Sequence, residues 1–177
     1  MKTEVFLIAK SLFSIFLFIL LLKISIKDIQ SLTIDDNHIL LGVTASLVAL
    51  PTLRYLNAQP YFYKVIGDQF IASVSALILM LTISLISQQL LQILSLGHGD
   101  AKLALLGGTW LGLKGILIAI SFAFVTAGTH NLIQLINGKL KRRQPIAFAP
   151  YLSLGIFGVW ILGTDFILNK WNVLWHG

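Results

Sequence analysis

The sequence predicts an all-α, polytopic membrane protein with about six transmembrane helices, on three observations. Hydrophobic residues make up 56% of the 177-residue chain and charged residues only 11%, against roughly 25% charged in soluble domains. Apolar runs recur along it, several near the roughly 20 residues that a bilayer crossing needs. None alternates polar and apolar residues as a barrel strand would, and lipid leaves only helices and closed barrels as spanning structures. The length fits a single domain over 1–177.

The first span is predicted at 5–26. Lys2 and Lys10 precede its apolar run, but Lys23, Lys27 and Asp28 follow it where a signal peptide would have a small-x-small cleavage site. The second span, 38–53, opens just after Asp35 and Asp36, a residue type favoured at helix N-caps. The third is predicted at 65–87, the fourth at 101–113, the fifth at 115–136 and the sixth at 147–168. The fourth is short enough to admit a re-entrant alternative.

Charge decides between the two threadings. Lys139, Lys141, Arg142 and Arg143 form a tight basic loop, which belongs on the cytoplasmic side. If the fourth segment crosses, this loop shares a face with Asp28, Asp100, Lys23, Lys27 and Lys102. If it is re-entrant, the loop falls on the opposite face. Six crossings with both termini outside are therefore expected, in the cytoplasmic membrane. Tyr55, Tyr61, Phe62, Tyr63, Trp171 and Trp175 then fall in an outer aromatic belt.

The net charge of +6 fits this topology and contact with anionic lipid headgroups, rather than nucleic acid. With no cysteine there is no disulfide and no cysteine-based zinc site. No nucleotide-binding glycine loop and no HExxH is present, and a lone His98 is weak ground for a metal. No cofactor and no metal are expected.

The segment Gly97-His98-Gly99-Asp100-Ala101-Lys102-Leu103 sets a carboxylate between glycines and an apolar run. An ionisable residue at membrane depth is a functional hypothesis, because burying it unpaired is costly. Gly97 and Gly99 remove side-chain bulk, so that another backbone can approach the carboxylate. Asp28 falls on the same face by the threading. Two such carboxylates within reach would share one proton, one taking a proton from water while the other donates to a scissile carbonyl. The plainer reading makes Asp28 a helix-end charge paired with Lys27 or Lys23. Asp35 and Asp36 compete as partners of Asp100, although capping suits them better. Glu4, Asp68 and Asp165 read as solvated or interfacial. Lys102 either biases the carboxylates or anchors the chain at the membrane surface. Gly107, Gly108 and Gly112 thin one side of the fourth helix for close packing or for substrate.

Three segments resemble the type IV prepilin peptidases, membrane aspartic proteases related to archaeal preflagellin peptidases. The Gly97–Leu103 segment matches the family's GxGDxKL block. Asp28-Ile29-Gln30-Ser31-Leu32-Thr33-Ile34 resembles its first-aspartate block, with Ile six positions after the Asp. Ile146-Ala147-Phe148-Ala149-Pro150-Tyr151-Leu152 resembles its IPFGP[FY] segment. The chain departs from the pattern where Asp35-Asp36 replace Pro-Asn, and where Ala147 and Ala149 replace Pro and Gly.

The resemblance implies an aspartic endopeptidase that removes the short basic leader from prepilin or pseudopilin precursors, on the cytoplasmic side of their hydrophobic helix, next to pilus assembly machinery. It assigns Asp28 and Asp100 as the catalytic pair, with Gly97, Gly99 and Lys102 along the substrate. The chain resembles the small, core-only branch serving Flp/Tad-type pili, for which no N-methyltransferase activity is expected. Rival readings are a proton-coupled transporter or channel subunit, which also uses intramembrane carboxylates, and an inactive assembly scaffold with the same fold.

Overall fold

The computed structural model describes residues 2–57, 62–91, 97–138 and 147–176. Tyr61, the basic loop residues Lys139, Lys141, Arg142 and Arg143, and Ile146 lie outside the described residues, as do the side chains of Phe62, Tyr63 and Trp175. The described residues form helices α1 (Lys2–Ser31), α2 (Asp36–Leu56), α3 (Phe62–Leu91), α4 (His98–Ile136), α5 (Ala149–Leu162) and α6 (Thr164–His176), with no strand among them. The protein is a polytopic all-α membrane protein. Four helices, α1 to α4, are each long and apolar enough to cross a bilayer, and the α5–α6 pair is a fifth candidate. The outward faces are apolar, with Leu12, Phe70 and Val125 each more than 60% exposed, as lipid rather than water requires.

The spans fall differently from the prediction in two places. The expected fourth and fifth spans lie in one element, α4, whose 39 residues would reach about 58 Å if straight, twice the hydrocarbon thickness. Gly112 breaks it, with φ 71° and ψ 177°, a conformation that side chains disfavour. A Cβ placed on Gly107 would lie 2.6 Å from Ile116 Cδ1. In an unbroken helix nine residues separate backbones by about 13 Å, so the two halves of α4 turn sharply toward each other at Gly112. The expected sixth span, 147–168, is not one helix. It breaks at Gly163 (φ 83°), where α6 leaves α5 at 88°.

Glycines set the closest helix crossings. A Cβ at Gly108 would stand 2.8 Å from the Ala72 carbonyl oxygen and Ser73 Cα, so α4 meets α3 backbone to backbone. A Cβ at Gly155 would lie 2.5 Å from the Ala119 carbonyl oxygen, where α5 meets the second half of α4. At Gly42, α2 lies against Leu106 and Leu20. Trp110 joins these elements: its indole N–H donates to the Gly42 carbonyl at 3.0 Å, and its ring meets Trp160 edge-on at 5.2 Å. Trp160 in turn donates to Ser14 Oγ at 2.8 Å. Buried indoles of this kind supply apolar area while keeping their N–H paired.

Candidate active site

Of the seven acidic residues, Asp28 and Asp100 alone are buried, at 5% and 7% exposure. Each reaches its place through a different local device. Asp28 sits in the last turn of α1, the end of a helix dipole that disfavours a negative charge. The first residue of α5 offsets this, since the Ala149 N–H donates to Asp28 Oδ2 at 3.1 Å. A tilted contact of the Phe124 and Phe148 rings, centroids 5.1 Å apart, holds that end of α5 against α4. Asp100 lies in the first turn of α4, where a carboxylate is favoured. Its Oδ2 accepts the N–H of Gly97, the N-cap, at 3.0 Å. The short linker after α1 ties the two helix ends together, since Asp35 pairs with Lys27 beside Asp28 and Ile34 packs on Gly99 beside Asp100. Water and peptide chemistry between two such groups is physically available.

The linker from α1 to α2 closes one side. Leu32, with φ 53°, ends α1 as its N–H returns to the Asp28 carbonyl at 2.8 Å. The chain then lays Ile34 over Gly99, where an added Cβ would stand 3.1–3.2 Å from three atoms of the Ile34 side chain. The space expected for a substrate at Gly99 is thus occupied by Ile34. Gly97 is exposed, and a Cβ there would meet only the Asp100 carboxylate and the Gly99 N, both at 3.8 Å.

Lys27 pairs with Asp35, not with Asp28. Asp35 occupies the N-cap of α2, but its side chain does not cap the helix. It faces Lys27 and His38 Nδ1, the latter at 3.5 Å. The Lys27 ammonium, helped by His38, holds the Asp35 carboxyl below the usual aspartate range. Lys102 pairs with Asp36. The two aspartates that depart from the family pattern therefore tie the linker to α1 and α4, and neither joins Asp100. Glu4, Asp68, Asp165 and His98 are exposed. Among the described residues no group of three His, Asp or Glu converges as a metal site would need.

Sequence reasoning missed the Ala149 N–H, since a backbone donor has no residue-type signature. It also missed Ile34 as the group facing Gly99, although that residue stood in the quoted block.

The chain matches the profile of the type IV leader peptidase family over residues 15–132. It is 38% identical over 72 residues to a prepilin leader peptidase/N-methyltransferase of Xanthomonas campestris, covering 41% of this chain and 25% of the relative. A protein of the same description from Burkholderia pseudomallei is 30% identical over 73 residues, covering 41% and 24%. Another from Bacillus subtilis is 31% identical over 71 residues, covering 40% and 29%. The match thus spans about a quarter of the length of these relatives. No solved structure matches the chain significantly. The profile match covers well over half of the chain, and the chain belongs to the type IV leader peptidase family.

Proposed function

We propose that this protein is an aspartic endopeptidase of the cytoplasmic membrane that removes the leader from prepilin-like precursors, its single domain carrying the whole site. The observation that carries the reading is that the two buried aspartates, Asp28 and Asp100, stand at helix ends joined by one linker, through Lys27–Asp35, Lys102–Asp36 and Ile34 on Gly99. One carboxylate takes a proton from water, and the resulting hydroxide equivalent attacks the scissile carbonyl. The other carboxyl gives its proton to the carbonyl oxygen. As the tetrahedral intermediate collapses, the carboxylate that gave up its proton takes one back from a gem-diol hydroxyl, the C–N bond breaks, and the leaving nitrogen takes up the proton first removed from water. No metal or organic cofactor enters this sequence.

Gly97 is the open flank along which a substrate backbone approaches Asp100. Lys102 serves the substrate only after release from Asp36, so its role is electrostatic support of the site. The reversal at Gly112 supports a threading in which Asp28, Asp100 and the basic loop share the cytoplasmic face.

Co-expression with tagged prepilins from the same genome tests the reading. Leader loss is followed by gel shift, and mass spectrometry of the new N-terminus is expected to show cleavage without methylation. A transporter or a scaffold leaves the precursor intact. Reporter fusions after Lys27 and at Arg142 are expected to report cytoplasm, and one near Tyr61 the outside. An external signal at Arg142 would sink the threading.

A further inference from the structure

A groove of about 270 Å³ runs between α1 and α5 on the outer surface of the bundle. Phe18, Leu22 and Ile29 form one wall, and Pro150, Ser153 and Leu154 the other. Two observations separate it from an ordinary lipid-facing crevice. The first is where it ends. Ser25, three residues before Asp28 and on the same helical face, lines it, while Pro150 adjoins Ala149, the donor to Asp28. The groove therefore ends within about one helical turn of Asp28. The second is Ser153, which is 5% exposed and whose hydroxyl has no hydrogen-bond partner among the described residues. A buried hydroxyl without a partner is costly, and an acyl chain offers it none. A polypeptide in the groove offers side-chain and backbone polar groups.

We propose that the α1–α5 groove holds the hydrophobic helix of the precursor, with Ser153 as a docking residue that hydrogen-bonds it and sets the scissile peptide beside Asp28. The proposal rests on the peptidase reading above and adds where the substrate binds. A helix lying against α1 and α5 has its apolar side chains in the groove, as helices of this kind bind grooves elsewhere. Its chain leaves the groove near Asp28, so that the leader extends past Gly97.

The test uses the full-length protein in membranes with a tagged prepilin precursor. A photo-crosslinking amino acid replaces Leu22 or Leu154, which are 46% and 64% exposed, and in a control Val125, which faces lipid on α4 at 67%. Crosslinks to the precursor are expected from the first two and not from Val125. Leu154→Trp, which fills the groove from its rim, is expected to raise KM roughly tenfold with kcat within about twofold, the pattern of lost uniform binding. Ser153→Ala is expected to raise KM by about two- to tenfold, the worth of one hydrogen bond, and Val125→Trp to change neither constant.

Crosslinks to phospholipid alone, or an unchanged KM in Leu154→Trp, would overturn the proposal. The two readings fail separately. A protein that cleaves the precursor but never crosslinks it here loses the groove and keeps the peptidase. One that crosslinks but never cleaves keeps the groove as a precursor site and loses the peptidase.

Discussion

The Asp28 carboxylate accepts a hydrogen bond at 3.1 Å from the backbone N–H of Ala149, 121 residues further along the chain. This contact joins the last turn of the first helix to the first turn of the fifth. It sets one member of the carboxylate pair from the segment that opens α5, and the other, Asp100, is set by Gly97 at the start of α4. The site is thus built from three helix ends.

Asp28→Asn keeps an oxygen that accepts from Ala149, whereas Asp28→Ala leaves that buried N–H without a partner. The alanine variant is expected to be less stable than the asparagine variant by about 1–3 kcal/mol. Denaturation of the two detergent-solubilised proteins, run side by side, checks this. Equal stability would mean that the hydrogen bond to Ala149 contributes nothing.

Gly99→Ala forces its new Cβ against Ile34, at 3.1 Å from the nearest of its atoms. Overpacking of this kind costs about 1 kcal/mol or more. Ile34→Ala removes Cγ1 and Cδ1, two of the three facing atoms, and keeps Cβ, so Gly99→Ala is expected to cost less in the Ile34→Ala background than in wild type. A double-mutant cycle on thermal stability reads this coupling. Additive effects would show that the linker does not rest on Gly99.

Gly108→Ala meets backbone, not a movable side chain, because Ala72 and Ser73 of α3 lie 2.8 Å from the added carbon. A loss of about 1–3 kcal/mol is expected, larger than for Ala at Gly128, where nothing lies within 4 Å of an added Cβ. Comparable stabilities would contradict the α3–α4 crossing.

Much of this was legible in sequence, and the parts that were not share a cause. Asp28 and Asp100 stand out because a carboxylate beside an apolar run is unusual. The boundary between 113 and 115 falls within three residues of the break at Gly112. The break at Gly163 escapes a hydropathy reading, because the run continues apolar through Ile161 and Leu162 and resumes with Phe166 and Ile167. The sequence Gly163-Thr164-Asp165 carried the signal, a glycine helix stop followed by N-terminal residues of a new helix. Partner choice was less accessible. Lys27 lies next to Asp28 in sequence, yet adjacent residues on a helix do not face each other, and Lys27 turns to Asp35 instead.

That Lys27–Asp35 pair predicts an acid-sensitive component of stability. The Asp35 carboxyl titrates below its ordinary value in the folded protein, so the folded state binds fewer protons than the unfolded one over that range. The stabilisation is complete above the ordinary aspartate value of about 3.9 and is lost as pH falls through it toward the lower folded value. Both side chains are about two-fifths exposed, so the effect is small and weakens with added salt. Thermal melts of wild type and Asp35→Asn are expected to differ most near neutral pH and to converge in acid. A gap that persists in acid would assign the contribution of Asp35 to something other than its charge.

The central claim is that Asp28 and Asp100 act as one catalytic unit. The most direct measurement is the initial rate of leader removal from a tagged prepilin by wild type, Asp28→Asn, Asp100→Asn and the double variant, each shown to be folded in the membrane. Each single variant is expected to fall to the rate of the double, the non-additivity of groups that work together. Cleavage that survives Asp28→Asn would contradict the pairing and move the first aspartate to Asp35 or Asp36.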